Sequence, residues 1–153
     1  MAHRSIEKEK TALDAAAKEE ETVLKKALRS SKDIENFFDA FNRRDWEGVF
    51  QYMSDDCVWN ASEKRLESIG EIRGYWTTYH GSIEETLGPP RNVVFGDNIV
   101  FLEVRIRMDF VQNGDFFGKP YKKGEHFEFD CADVYELSDE GTIREGRVYS
   151  RIH

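Results

Sequence analysis

The spacing of the apolar residues changes along the chain from a helical repeat to a strand repeat. Before residue 54, apolar side chains recur at intervals of three and four residues, at Ile34, Phe37, Phe38 and Phe41 and again at Trp46, Val49, Phe50 and Met53. Such spacing places them on one face of a helix. From residue 99 to 137, apolar and polar side chains alternate, which is typical of strands that cover a core with one face. This order predicts an α+β domain in which an antiparallel sheet curls over helices.

Turn and capping residues divide the chain into elements. The stretch Asn42–Asp45 separates the first two helices, and a short strand is predicted over 57–59. A third helix opens at Ser68, and Gly88-Pro89-Pro90 ends the helical part because proline cannot continue a helix there. Four strands joined by hairpin turns follow: Asn92–Phe95, Ile99–Val111, Gly124–Leu137 and Thr142–Ile152.

The first 30 residues differ in composition from the rest. They are rich in Ala, Glu and Lys and contain no aromatic residue, and the aromatics begin only after Ser30-Ser31. We therefore predict two parts, a charged helical extension over residues 1–30 and the α+β domain over residues 31–153. The extension is expected to be a solvated helix, with docking onto the body or a partner as the alternative.

Charge and hydropathy exclude several functional classes. With 22 Lys and Arg against 30 Asp and Glu, the formal net charge is −8, which disfavours nucleic acids and anionic membrane surfaces. The longest apolar run outside the Ala-rich start, Ile99–Leu102, is far too short to span a bilayer. The first residues lack the pattern of a secretory leader, so we expect an intracellular, cytoplasmic protein. Cys57 and Cys131 lie at no metal-binding spacing.

One carboxylate falls on an apolar strand face. Strand periodicity places Asp133 on the same side as Phe129, Cys131 and Tyr135, facing the predicted core. A buried Asp must be hydrogen-bonded, paired with a cation or protonated, because desolvation of its charge is unfavourable. Two interpretations therefore remain: a working acid or hydrogen-bond donor in an apolar pocket, or a structural anion held by an Arg or a backbone amide.

Other candidate site residues follow from the inward faces. We expect a substrate pocket lined by Phe37, Phe41, Met53, Trp59, Tyr75, Trp76, Tyr79, Met108, Phe129 and Tyr149, although aromatics at such positions usually serve the core alone. His80 ends the third helix, either as a favourable charge at the helix terminus or as a general acid or base. His126, Glu128 and Asp130 alternate along one strand, but on the face opposite Asp133, so we predict no metal site.

Three segments, Phe37–Trp46, Met53–Asn60 and Asp133–Ile143, resemble the SnoaL-like branch of the nuclear transport factor 2-like superfamily. That superfamily includes ketosteroid isomerase, scytalone dehydratase, limonene epoxide hydrolase and polyketide cyclases, and the resemblance covers residues 33–152. It implies a cone-shaped, curved antiparallel β-sheet wrapped around three N-terminal helices, a blind apolar pocket, a homodimer and no cofactor.

The resemblance carries over residue by residue only in part. Asp133 matches the position at which ketosteroid isomerase keeps a protonated Asp, and the base of that enzyme falls near Asn60, which would be a neutral orienting group. Arg107 and Asp109 match the epoxide hydrolase pattern Arg-x-Asp. They would reach the pocket only if a bulge reversed the strand faces. The second Asp of that enzyme falls at Val148.

These features together predict a cofactor-independent enzyme of small-molecule biosynthesis. Proton transfer by Asp133, with Asn60 and His80 as further candidate catalytic residues, would isomerise, cyclise or dehydrate an apolar polyketide-like or terpenoid-like substrate. The alternative is a non-catalytic ligand-binding or protein-interaction module of the same fold. Alternating charges on the other sheet face predict a homodimer through that surface.

Overall fold

A computed structural model describes residues 24–79 and 81–152. These residues form three helices and nine strands in the order α1 (Ser31–Asn42), α2 (Trp46–Phe50), β1 (Met53–Asn60), β2 (Arg65–Leu66), α3 (Ile69–Tyr79), β3 (Ile83–Leu87), β4 (Arg91–Gly96), β5 (Ile99–Phe110), β6 (Gly114–Phe116), β7 (Lys119–Tyr121), β8 (His126–Leu137) and β9 (Ile143–Arg151). The predicted α+β cone is confirmed, with a strongly curled sheet around the helices.

Local capping fixes where the helices begin. Ser30 accepts a hydrogen bond from the backbone N–H of Asp33, and the Asp33 carboxylate accepts one from the N–H of Ser30, which forms a capping box at the start of α1. Asp45 accepts a hydrogen bond from the backbone N–H of Gly48 and so caps α2. The apolar face of α1 is buried in the cone.

The main sheet has seven strands in the order β2-β1-β9-β8-β5-β3, and β4 pairs with the other half of β5. Neighbouring strands are antiparallel except β1 and β9, which run parallel. The expectation of an antiparallel sheet is therefore wrong at that pair, because no local turn specifies how the first strand pairs with the last. Strands β6 and β7 form a separate hairpin.

Residues 83–87 form a strand and not the end of the third helix. The helix ends at Tyr79, and β3 pairs antiparallel with the second half of β5, with Glu85 opposite Met108 and Leu87 opposite Ile106. Ile83, Glu85 and Leu87 consequently point into the cone, while Glu84 is exposed. Pairing with the long strand β5, which short-range periodicity does not report, decides the conformation of this segment.

The last part of the predicted N-terminal helix is irregular. In the described residues 24–29 the backbone is not helical, because the N–H of Lys26 donates to the carbonyl of Gln51 at 2.8 Å and the N–H of Leu28 donates to that of Gly141 at 2.9 Å. These bonds lay the segment along the body, and the Leu28 side chain enters the core. Residues 1–23 of the predicted extension lie outside the described part of the chain.

Leu28 is expected to contribute strongly to stability, although it precedes the predicted domain. Its side chain is 1% exposed, and Leu28→Ala should lower the free energy of unfolding by about 2 to 5 kcal/mol through the loss of buried surface and the cavity left behind. Leu24→Ala is the matched control, since Leu24 is 88% exposed, and should change stability by less than about 0.5 kcal/mol. Urea denaturation of both variants measures the difference, and equal midpoints would contradict the packing described.

Candidate active site

Two small chambers lie side by side inside the cone. The inner chamber has a volume of about 70 Å³, and its lining includes four buried aromatic side chains together with Asp133 and Tyr135. The outer chamber also measures about 70 Å³ and is bordered by the exposed residues Ser62, Glu63 and Phe117. Four residues belong to both linings: Trp76, Glu85, Ile106 and Val148. They form the boundary between the inner chamber and the outer one, which reaches the surface.

Asp133 lies in the wall of the inner chamber. It is 6% exposed, and its Oδ2 accepts a hydrogen bond of 2.7 Å from the Tyr135 hydroxyl. Its Oδ1 is buried and has no hydrogen-bond partner among the described residues. Burial raises the pKa of Asp133 to about 7, although the hydrogen bond from Tyr135 acts in the opposite direction. Both the protonated and the ionised form of this carboxyl are therefore accessible near neutral pH.

Strand register explains why this carboxyl lacks a cation. Asp133 lies on β8 opposite Leu102 of β5 and Val148 of β9, so its neighbours across the strands on the same face are apolar. Within residues 24–79 and 81–152, no Lys or Arg forms an ion pair with it. Of the two interpretations left by the sequence, this geometry favours a protonatable acid over a structural anion.

Tyr135 fixes the orientation of the Asp133 carboxyl. The ring is packed edge-on against Phe37, with centroids 5.9 Å apart, and lies 5.8 Å from the Trp59 ring. Burial and the neighbouring Asp133 hold the pKa of Tyr135 well above its ordinary value, so its hydroxyl stays a donor. Sequence reasoning placed Tyr135 on the inner face but did not count it as a site residue.

Glu85 is a site residue that sequence reasoning missed. Its side chain reaches inward from β3 and lines both chambers. The pKa of Glu85 is raised to about 7, mainly by burial. The charge of Arg44 acts to lower this pKa, and the charge of Asp133 acts to raise it. The alternation of Ile83, Glu85 and Leu87 is a signal for an inward carboxylate, but the expected helical part extends to Gly88 and covers this segment.

Aromatic rings form the rest of the inner wall. The Trp59 and Trp76 rings meet edge-on with centroids 5.3 Å apart, and Phe41 meets Trp76 in the same way at 5.4 Å. Trp59 in turn lies against the backbone of Gly146, its partner on the parallel strand β9. The position of Trp59 therefore depends on residue 146 being a glycine, which has no side chain.

Gly146→Ala is expected to disturb the chamber. A Cβ at this position would overlap the Trp59 ring, so the indole must shift, and the overpacking should lower the free energy of unfolding by about 1 to 3 kcal/mol. Gly114→Ala is the control, because a Cβ there meets nothing within 4 Å. Thermal melts together with Trp fluorescence measure the effect. A Gly146→Ala protein with an unchanged melt and spectrum would show that Trp59 is not held as described.

The structure brings most of the predicted pocket residues together. Phe37, Phe41, Trp59 and Trp76 line the inner chamber, and Tyr75, Met108 and Phe129 line the outer one. Met53 is fully buried in the core and lines neither chamber. Tyr79 is the last residue of α3, and its side chain lies outside the described part of the structure, as does all of His80.

Two predicted site residues lie on the outer face of the sheet. Tyr149 is exposed because β9 pairs it with Ala132, which points outward, whereas Val148 points inward opposite Asp133. The expectation that Tyr149 is deep in the pocket is therefore wrong. Asn60 also lies outside both chambers. Its side-chain amide donates to Glu145 at 2.7 Å, and its side-chain carbonyl accepts from Arg65 at 3.0 Å.

The outer face also carries the charged residues of β5 and β8. Pairing between these strands is continuous over eleven residue pairs, so no bulge turns Arg107 or Asp109 inward. Arg107 and Asp109 form an exposed ion pair of 2.9 Å with each other. Glu128 and Asp130 pair with Arg105 on the same surface. No group of three potential metal ligands occurs in the described residues.

Comparisons with known proteins agree with this architecture. The family model of the SnoaL-like domain matches residues 34–146. A candidate polyketide cyclase from Pseudomonas putida is similar in structure, with a TM-score of 0.70 and 14% sequence identity over 82% of this chain and 94% of its own. A candidate polyketide cyclase from Xanthomonas campestris gives 0.67 and 19% over 77% and 87%.

Another similar structure is an epoxide hydrolase from M. tuberculosis, with a TM-score of 0.61 and 17% identity over 78% of this chain and 80% of its own. No curated protein sequence matches the chain significantly. None of the described helices is long and apolar enough to cross a membrane. At these identities the structural similarities establish the fold.

Proposed function

Because the chain belongs to the SnoaL-like domain family, we propose that it is a cofactor-independent enzyme that moves protons within an apolar small molecule. The reaction is an isomerisation, a cyclisation or a dehydration of a polyketide-like or terpenoid-like compound. Two similar structures are described as candidate polyketide cyclases, which favours the cyclisation of a polyketide-like chain among these reactions.

The observation that carries this proposal is the Oδ1 atom of Asp133, for which the described residues supply no hydrogen-bond partner. A buried carboxyl with one unpartnered oxygen at the wall of a chamber has a position left for a substrate atom. Its raised pKa, near 7, matches the operating range of a general acid or base. The aromatic walls around it favour an apolar ligand.

Asp133 is the acid/base group in this mechanism. Its ionised form accepts a proton from a carbon next to a carbonyl, and the C–H electron pair becomes the double bond of an enolate. The protonated carboxyl then returns the proton to another carbon of the same molecule, so the enzyme ends in its initial state. Tyr135 positions the carboxyl through its 2.7 Å hydrogen bond to Oδ2, so Oδ1 is the oxygen that faces the substrate in this mechanism.

Proton exchange with solvent tests the proposal before the natural substrate is identified. The protein is incubated in D₂O with a panel of small neutral ketones, and mass spectrometry measures deuterium at the carbons next to the carbonyl. We expect exchange with at least one ketone, faster than in buffer and slowed by about 10²-fold or more in Asp133→Asn. A non-catalytic binding module, the alternative function, would bind a ketone without accelerating its exchange.

We further propose that the protein is a homodimer through the outer face of the sheet. Phe101 of β5 is 45% exposed there, beside Val134 of β8 and among paired charges. Light scattering after size exclusion at micromolar concentration should give the mass of a dimer, and Phe101→Lys should give a monomer. Phe117→Lys is the control, equally exposed but on the β6–β7 hairpin. A wild-type monomer would remove this proposal.

A further inference from the structure

Two carboxyl groups from different strands line the inner chamber. Asp133 comes from β8 and Glu85 from β3, and these strands lie on either side of β5 in the sheet. The curl of the sheet brings both side chains to one space, whose remaining lining is apolar apart from Tyr135. Glu85 also borders the outer chamber, so it lies where a molecule entering from the surface meets the inner chamber.

We propose that Glu85 is a second catalytic carboxyl, which shares one proton with Asp133. One of the two carboxyls takes a proton from a neutral carbonyl compound while the other gives a proton to it. This inference rests on the proposed function and names its second acid/base group and its substrate class.

Electrostatics supports the sharing of one proton. Two like charges at one mostly apolar chamber disfavour each other, so the second carboxyl ionises less readily than the first. The charge of Asp133 accordingly raises the pKa of Glu85. Arg44, which follows α1, offsets a part of this effect. Its guanidinium donates to the backbone carbonyl oxygens of Phe41 and Glu85, and its positive charge lowers the pKa of the Glu85 carboxyl.

Other titratable groups face this pair from the remaining elements. The Cys131 thiol of β8 lies in the lining of the outer chamber, and burial raises its pKa to about 12, so it stays neutral. Glu63 and Tyr75 border the same chamber, with the Tyr75 hydroxyl donating to Glu63 at 2.6 Å. Met108, opposite Glu85 in the sheet, is uncharged. One negative charge shared between Asp133 and Glu85 at neutral pH therefore fits their surroundings.

The charge of the pair restricts the substrate. A carboxylate or phosphate ligand would add a negative charge next to Asp133 and Glu85, and Arg44 already bonds to backbone oxygens. A neutral carbonyl compound avoids this repulsion and can accept a hydrogen bond from whichever carboxyl is protonated. The substrate class is thus neutral ketones and related carbonyl compounds.

The proton balance of the reaction uses both groups. The ionised carboxyl takes a proton from the carbon next to the carbonyl, and the protonated one gives its proton to the carbonyl oxygen, so a neutral enol forms. The enol O–H proton then returns to the carboxyl that supplied it, and the other carboxyl delivers its proton to a different carbon. The substrate leaves as an isomer, and the pair again holds one proton.

Reciprocal NMR titration tests whether the proton is shared. Side-chain carboxyl carbons are titrated in the wild type and in Glu85→Gln, with Glu84→Gln as the matched control, since Glu84 is the exposed neighbour on β3. Removing a like charge should lower the pKa of Asp133 by about 1 unit in Glu85→Gln and by less than about 0.2 in the control. An unchanged Asp133 pKa in Glu85→Gln would overturn the pair.

Turnover of 3-cyclohexen-1-one tests the catalytic role, because its conversion to the conjugated enone is followed by ultraviolet absorbance. Glu85→Gln should lower kcat by about 10²-fold or more with little change in KM, and Glu84→Gln should match the wild type. Loss in Asp133→Asn but not in Glu85→Gln would remove Glu85 and leave the proposed function intact. A wild type no faster than buffer would overturn the assignment to neutral ketones, while the titration still decides the pairing.

Discussion

Asp133→Asn is expected to lower the rate of proton transfer by about 10²- to 10⁴-fold while the protein still folds, since this is the usual contribution of a general acid or base. Asn has the same shape, and its carbonyl can still accept the Tyr135 hydrogen bond, but it cannot take or give a proton. Deuterium incorporation into the reactive ketone measures the loss, and near-ultraviolet circular dichroism checks the fold.

Asp130→Asn is the matched control for this prediction. Asp130 lies three residues earlier on β8, on the outer face, where it pairs with Arg91 and Arg105. Its substitution should leave the exchange rate within about twofold of the wild type, as expected for an exposed ion pair of small energy. If Asp133→Asn instead keeps full activity and loses about 3 to 5 kcal/mol of stability, Asp133 is a structural anion.

The second large effect is a fall in stability as the pH rises. The pKa of Asp133 is near 7 in the folded protein and about 3.9 in the unfolded chain, so between these values the folded state binds more protons. The contribution of Asp133 to the free energy of unfolding is therefore fully present below about pH 4. It is lost as the pH rises through 7, by up to about 4 kcal/mol. Glu85 acts in the same direction.

Urea denaturation at a series of pH values measures this dependence. The free energy of unfolding of the wild type should fall between about pH 4 and 7, and Asp133→Asn should give a flatter profile over the same range. Asp109 and Glu136 act in the opposite direction at lower pH, because ion pairing lowers the pKa of each. They are unchanged in the variant. Parallel profiles for the two proteins would contradict a buried, protonatable Asp133.

Long periodic segments made much of this site predictable from the sequence. The α1 face that includes Phe37 and Phe41, and the alternation along β8 that turns Asp133 inward, each extend over three or more repeats. Such patterns report burial directly, because each repeat places another apolar side chain on the same face. The predicted aromatic wall at Trp59 and Trp76 follows from the same principle.

Features that depend on pairing between distant strands were not predictable in this way. Glu85 is on a strand of five residues whose conformation depends on β5, some twenty residues further along the chain. Tyr149 and Asn60 face outward because β9 is registered against β8 on one side and β1 on the other, with a parallel pairing that no local turn specifies. A shift of one residue in either register would reverse the faces.

The most direct test of the account is the pKa of Asp133 itself. Titration of its side-chain carboxyl carbon by NMR in the wild-type protein should give a midpoint near 7, because burial without a cation destabilises the charged form. A midpoint at or below the ordinary value of about 3.9 would mean that a cation or several hydrogen bonds hold the carboxylate ionised, and would contradict its role as the acid/base group.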